Sequence, residues 1–258
     1  MSAVTDRFAD AELVRFARDG FHVVRGLAPA TLRQRILDAA RRDLDAAVAP
    51  IEYEADTGYP GAPATRDAPG GRTVRRLLRA VDRDPAIREW CTGPAVGARL
   101  RQLLGPHVCL AQAHHNCIMT KQPRHSSVTG WHRDVRYWAY ERPQLVSVWL
   151  ALGPEGTDNG CLQVLPGTHA MDFGPDRLDE AQFLRTDVAA NRPLLDNVVT
   201  VALEPGDVLF FHCLLFHAAG ANGTDATKFS PVFTYHAADN RPLPGTRSAS
   251  LPSIPLTP

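Results

Sequence analysis

Apolar residues recur every three or four positions through the first hundred residues and every second position through much of the rest. The first spacing predicts helices and the second predicts strands. Leu13, Phe16 and Ala17 fall on one side of a short helix over Ala11 to Arg18, which Gly20 ends. Phe21 to Val24 follows as a short strand. From Pro29 a longer helix is predicted, with Leu32, Ile36, Ala39, Ala40 and Leu44 on its apolar side. Arg41 and Arg42 fall on the opposite, solvated side. Two further helical segments are read around Val74 to Val81 and Ala95 to Leu104, the second closed by Gly105-Pro106. Residues 51–72 are too rich in Pro and Gly for a regular element and are predicted to be a long loop, either a lid or a plain surface excursion.

Beyond Pro106 the runs are short, apolar or alternating, and bounded by turn residues. Strands are predicted over Val108 to Lys121, Leu145 to Leu152, Gly160 to Leu165, Val198 to Leu203, Asp207 to Cys213 and Lys228 to Ala237. Several short strands in series suggest a sandwich or a barrel. The expected organisation is one domain, mainly β with flanking α-helices. Residues 1–107 are its mostly helical part, 108–238 its β-core with an insertion at 169–197, and 239–258 a Pro-rich tail. Five prolines from Arg241 onward mark that tail as running over the surface.

Composition narrows the class without naming a function. Hydrophobic residues make up 44% and charged residues 22%, the balance of an ordinary globular protein. Lys+Arg and Asp+Glu are both 28, so the chain carries no net charge and bulk nucleic-acid binding is not expected. The N-terminus lacks the apolar core of a signal peptide, and no apolar run approaches the ~20 residues that span a bilayer. The five cysteines, Cys91, Cys109, Cys117, Cys161 and Cys213, form no CxxC pair and read as reduced, buried thiols. The expectation is a soluble cytoplasmic protein with no transmembrane segment and no obligate protein partner.

The chemistry centres on Thr129-Gly-Trp-His-Arg-Asp134. On an extended strand His132 and Asp134, two residues apart, emerge from one face. One imidazole and one carboxylate so placed are two thirds of a 2-His-1-carboxylate facial triad, which leaves open positions on iron(II) for oxygen and a cosubstrate. The third ligand is sought in Gly206-Asp-Val-Leu-Phe-Phe-His212-Cys-Leu-Leu-Phe-His217. His212 lies inside an apolar strand, whereas His217 stands after it, before a small-residue turn. A solvent-reachable pocket favours His217, with His212 as the alternative. Lys228 and Ser230 lie beyond it on one face of a strand and together suit a carboxylate; the plainer reading of Lys228 is an edge-strand gatekeeper.

In order along the chain, these pieces resemble the phytanoyl-CoA dioxygenase family of iron(II)- and 2-oxoglutarate-dependent oxygenases. The resemblance rests on Asp19-Gly-Phe-His-Val-Val-Arg-Gly, Met119-Thr-Lys-Gln-Pro, Trp131-His-Arg-Asp, Asp158-Asn-Gly-Cys-Leu-Gln-Val-Leu-Pro-Gly-Thr-His, and the run from Gly206 to Asn222. It covers roughly residues 10–240. It implies a double-stranded β-helix (a jelly-roll, cupin-like core) in which His132, Asp134 and His217 hold Fe(II). Lys228 occupies the place of the family's basic residue for the far carboxylate of 2-oxoglutarate, although that residue is usually arginine and lysine offers no bidentate fork. Lys121 and Trp149 match positions near the cosubstrate, with Ser230 beside them. Ala219 stands where the family often has serine.

The implied reaction consumes 2-oxoglutarate and O2, releases succinate and CO2, and hydroxylates an organic substrate. Asp134 fills the position that related halogenases leave for halide, so hydroxylation is favoured; desaturation or ring closure are its variants. Arg124, His125, Arg136, Tyr137, Trp138 and Arg142 cluster in sequence about the metal strand, and Arg124, Arg136, Tyr137 and Trp138 are the substrate-binding candidates. The alternative is that the aromatics pack the barrel while the arginines face water. A narrower likeness to bacterial hydroxylases of Kdo, the acidic sugar of lipopolysaccharide, implies a lipid-linked anionic sugar met at the cytoplasmic face of the inner membrane. An acyl-CoA or a small secondary metabolite is the alternative substrate. Outside oxygenase chemistry, a zinc-dependent hydrolase or a metal-free jelly-roll binding module also accommodates two histidines and a carboxylate.

Overall fold

The computed structural model describes residues 7–59 and 62–257. The start of the N-terminus read above for a signal segment, residues 60 and 61 of the predicted loop and the final proline of the tail lie outside the described residues. In chain order the elements are α1 (Asp10–Asp19), β1 (Phe21–Val24), α2 (Ala30–Asp45), β2 (Ile51–Tyr53), β3 (Val74–Leu78), α3 (Pro85–Thr92) and α4 (Pro94–Leu104). The strands β4 (Val108–Leu110), β5 (Asn116–Lys121), β6 (Thr129–His132), β7 (Leu145–Leu150) and β8 (Leu162–Val164) follow. The chain continues through the one-turn α5 (Arg192–Leu195), β9 (Val199–Thr200), β10 (Val208–His212), β11 (His217–Ala219), β12 (Lys228–Ala237) and β13 (Ile254–Pro255).

Two antiparallel sheets form the core. The larger runs β1-β10-β7-β12-β5-β3-β2, with β4 on β12 and β13 on β4; the smaller runs β6-β11-β8-β9. Strand alternation divides the side chains of the large sheet between two interiors. Val146, Val148, Val208, Phe210, Phe233 and Tyr235 pack under Phe16, Ile36, Ile87, Trp90 and Leu100 of the helices. Trp149, Leu209, Phe211 and Val232 turn the other way, toward Leu162, Val164 and Ala219 of the small sheet. Each fully buried Phe or Leu contributes about 1.5–3 kcal/mol. This is the double-stranded β-helix, with helices covering one outer face.

Three sequence expectations are corrected. Val74, Leu77, Leu78 and Val81 have helical spacing, yet residues 74–78 are a strand clasped between β2 and β5. Pairing on both sides satisfies its backbone, and tertiary context overrides local periodicity. The 51–72 loop begins as β2 and a 3-10 turn at Glu54–Asp56, with Glu54 fully buried. The tail does not simply run over the surface: β13 pairs with β4, Leu256 is buried, and Ser248 Oγ accepts from the backbone N–H of Ala139. Among the described residues, no helix is long and apolar enough to cross a membrane.

Candidate metal centre and its cavities

His132 closes β6 and His217 opens β11, and the two are direct cross-strand partners in the small sheet. Their rings lie 4.3 Å apart, centroid to centroid. Asp134 is not on the strand as expected but begins the 3-10 turn after it. Arg133 between them is extended, so the two side chains still converge. The backbone N–H of Val135 donates to the carbonyl of Cys213 and pins this turn against the end of β10. One ligand atom from each of His132, Asp134 and His217 lies within 4.8 Å of the others, and all three residues are buried.

The hydrogen bonds around this trio select its ligand atoms. Nδ1 of His132 meets the carbonyl of Gly130 at 2.9 Å, and Nδ1 of His217 meets that of Leu215 at 3.1 Å. A carbonyl only accepts, so both Nδ1 atoms carry protons and both Nε2 lone pairs remain available. Asp134 Oδ1 lies 3.5 Å from Nε2 of His217 and 3.9 Å from Nε2 of His132, is buried, and accepts no hydrogen bond. An isolated buried carboxylate oxygen facing two lone pairs is costly unless a cation sits among them. This donor set fits a divalent metal with nitrogen and oxygen ligands.

The rest of the shell orients the carboxylate. Ser147 Oγ donates to Asp134 Oδ2 at 3.2 Å, and Nδ1 of His115 lies 3.4 Å from the same oxygen. Burial works to raise the pKa of Asp134, but the imidazoles of His115, His217 and His132 together hold it below the usual carboxylate range. Burial, reinforced by His217, pushes His132 down to about 3, so its ring is a neutral ligand at neutral pH. His212 lies apart: its Nδ1 accepts from the N–H of Leu214 and its ring packs near His169. It is not in the trio.

The cavity beside the trio is lined by Lys121, Trp149, Lys228 and Ser230, as well as by His132 and His217. Lys121 and Lys228 face each other across β5 and β12. Arg75 and Arg76 of β3 also line it, each paired with a carboxylate at 3.0 Å: Arg75 with Glu54, Arg76 with Glu52. Gly160 lets the loop before β8 approach this end of the barrel. Its φ is +72°, and a Cβ there would meet the carbonyl oxygen of Gly220 at 2.4 Å.

A second cavity adjoins the first at His115, Tyr59 and Arg76. Arg136, Tyr137 and Trp138 line it, together with Phe183 from the 169–197 insertion. The Arg136 guanidinium lies 4.2 Å from the ring centre of Phe183 and 4.7 Å from that of Tyr137, and the Tyr59 and Tyr137 hydroxyls are 2.7 Å apart. Tyr59 belongs to the Pro/Gly-rich 51–72 segment, which thereby contributes to both cavities. The remaining basic candidates lie elsewhere. Arg124 is exposed in a turn with positive φ, His125 packs against Gly70, and Arg142 pairs with Asp239 on the surface. Sequence reasoning missed His115, Tyr59, Phe183 and Glu155; only the tandem His114-His115 offered a signal, and it does not say which ring faces the metal.

The family model for phytanoyl-CoA dioxygenase (PhyH) matches residues 16–230. A probable phytanoyl-CoA dioxygenase of Caenorhabditis elegans is 28% identical over 182 residues, which is 66% of this chain and 56% of that protein. The peroxisomal phytanoyl-CoA dioxygenase of Homo sapiens is 25% identical over 243 residues, 87% of this chain and 67% of that protein. The chain thus spans between about half and two thirds of the length of these relatives. Among solved structures, the epimerase SnoN in complex with Fe3+, alpha ketoglutarate and nogalamycin RO superposes with a TM-score of 0.73 at 25% identity. That match covers 96% of this chain and 95% of the other.

Proposed function

Because the chain belongs to the phytanoyl-CoA dioxygenase family, we propose that it is an iron(II)- and 2-oxoglutarate-dependent dioxygenase that hydroxylates an unactivated C–H bond. The observation that carries this reading is the orphaned Oδ1 of Asp134 between the free Nε2 atoms of His132 and His217. Iron held there, with 2-oxoglutarate, supplies the activation of O2 and yields succinate and CO2 beside the hydroxylated product. His132, Asp134 and His217 would hold the iron, and His132 and His217 also line the cavity beside it. Lys121, Trp149, Lys228 and Ser230 bind the 2-oxo acid, since all four line the cavity that His132 and His217 also line. Arg136, Tyr137 and Trp138 bind the substrate in the adjoining cavity, where the rings exclude water and Arg136 offers a cation.

For the substrate we favour an anionic organic molecule, with an acidic sugar such as lipid-linked Kdo as the first class to screen. Arg136, held by two rings on the wall of the second cavity, supports an anion there. An acyl-CoA or a small secondary metabolite is the alternative class. The test is succinate formation by the iron-loaded protein, with and without members of these classes. Stimulation by one class that disappears in His132→Ala, Asp134→Ala and His217→Ala is the expected result. Zinc-supported hydrolysis without oxygen uptake would overturn the reading.

A further inference from the structure

Lys228 and Ser230 both turn toward Glu155. Lys228 Nζ donates to Glu155 Oε2 at 3.1 Å and Ser230 Oγ donates to Oε1 at 2.7 Å. The indole N–H of Trp149 lies 3.1 and 3.2 Å from the two oxygens. The Glu155 side chain is fully buried, and two backbone hydrogen bonds with Leu203 fix its position. Lys228, Ser230 and Trp149 line the cavity beside the metal ligands, but Glu155 does not. The carboxylate therefore stands behind these three donors and takes their hydrogen bonds from the far side.

The electrostatic consequence is local. In a buried setting a carboxylate in contact with an ammonium cancels most of the field that a third group would feel. Arg75 and Arg76 are cancelled in the same way by Glu54 and Glu52. Lys121 differs. It is buried, and its Nζ donates to the backbone carbonyls of Ser127 and Gly220, with no carboxylate partner among the described residues.

Resting on the assignment of this cavity to a 2-oxo acid, we infer that Glu155 neutralises Lys228 from behind, so that Lys121 carries the charge that distinguishes a dicarboxylic 2-oxo acid from one with an uncharged tail. Lys228 stands where a distal-carboxylate anchor is expected, yet its charge and the hydroxyl beside it are already engaged. The wild-type cavity therefore discriminates only modestly between 2-oxoglutarate and a 2-oxo acid of equal length without the second carboxylate.

The test is anaerobic titration of the Fe(II)-loaded protein with 2-oxoglutarate and with 2-oxopentanoate, following the visible metal-to-ligand band. Glu155→Gln keeps the volume and removes the charge. It should tighten 2-oxoglutarate by about tenfold or more, as expected when a buried cation loses its partner, and shift 2-oxopentanoate by less than about threefold. If Glu155→Gln does not fold, Lys121→Met addresses the same point beside an intact Lys228–Glu155 pair: the preference for 2-oxoglutarate should disappear although Lys228 remains. Bands for both acids with an unchanged or reduced preference in Glu155→Gln, or a retained preference in Lys121→Met, would overturn the inference alone. A band with neither acid in the wild-type protein would overturn the cosubstrate reading and this inference with it.

Discussion

Asp134 Oδ1 and His217 Nε2 are 3.5 Å apart, buried, and joined by no hydrogen bond, because the proton of His217 is committed to the Leu215 carbonyl at its other nitrogen. Such a pair is poorly suited to a metal-free protein and well suited to a metal-bound one. Fe(II) should therefore raise the melting temperature of the wild-type protein. In Asp134→Ala the response to metal should vanish. Differential scanning fluorimetry with and without Fe(II) under anaerobic conditions reads both effects.

His115 is placed to act through Asp134 on a metal held at this site, since its Nδ1 lies 3.4 Å from the oxygen that Ser147 also contacts. Its ring stands edge-on to Trp138 at 5.4 Å, where the two cavities adjoin. Groups that orient a ligand typically change metal affinity by about 10–100-fold when lost. His115→Ala is predicted to weaken Fe(II) binding within that range while 2-oxo acid affinity at saturating metal stays within about threefold of wild type. Metal titration by equilibrium dialysis, followed by cosubstrate titration, separates the two.

Burial is the largest cause that pushes Lys121 down, to about 7. An incoming carboxylate favours the ammonium, so binding raises this pKa and takes up a proton. The sign follows. Affinity for 2-oxoglutarate should be greatest below about pH 7 and fall by at most about tenfold per pH unit above it, until the pKa of the bound form is reached. Lys121→Met should flatten the profile. Titrations of the visible band between pH 6 and 9 give the measurement.

Arg136 is held by Phe183 and Tyr137, and Tyr137 in turn meets Tyr59. Arg136→Ala should raise the KM for an anionic substrate by about tenfold or more, the loss expected when one charged hydrogen-bonding group is removed, with binding of 2-oxoglutarate unchanged. Tyr59→Phe removes the hydroxyl contact that ties the 51–72 segment to this wall and should act in the same direction with a smaller effect. Steady-state kinetics on the substrate found by screening, compared with cosubstrate titration, tests the division between the cavities.

The parts of the site legible in the sequence are those set by local chain geometry. His132 and Asp134 flank an extended Arg133 although Asp134 already opens a turn, and Lys228 and Ser230 alternate onto one face of β12, so both pairs converge through local extended geometry. Glu155 was not legible. It follows a proline in a turn-rich stretch and meets Lys228 and Ser230 across more than seventy residues, so no local spacing announces the pairing. The reading of residues 74–81 as a helix failed because the apolar set Val74, Leu77, Leu78 and Val81 fits a helical face, while Arg75 becomes a buried partner of Glu54 only once β2 and β3 pair. The sequence reading also passed over α3, although its start carries a local signal: the Asp84 carboxylate accepts from Ala86 N–H at 2.8 Å and Pro85 lacks the donor that would go unpaired there.

The central claim is that His132, Asp134 and His217 hold iron with room beside it for a 2-oxo acid. The most direct test is an anaerobic visible difference spectrum of the metal-free protein given Fe(II) and then 2-oxoglutarate, recorded beside His217→Ala and His212→Ala. The account predicts a weak charge-transfer band in the wild-type protein and in His212→Ala, and none in His217→Ala. A band that survives in His217→Ala, or a wild-type protein that binds Fe(II) tightly yet gives no band, would contradict it.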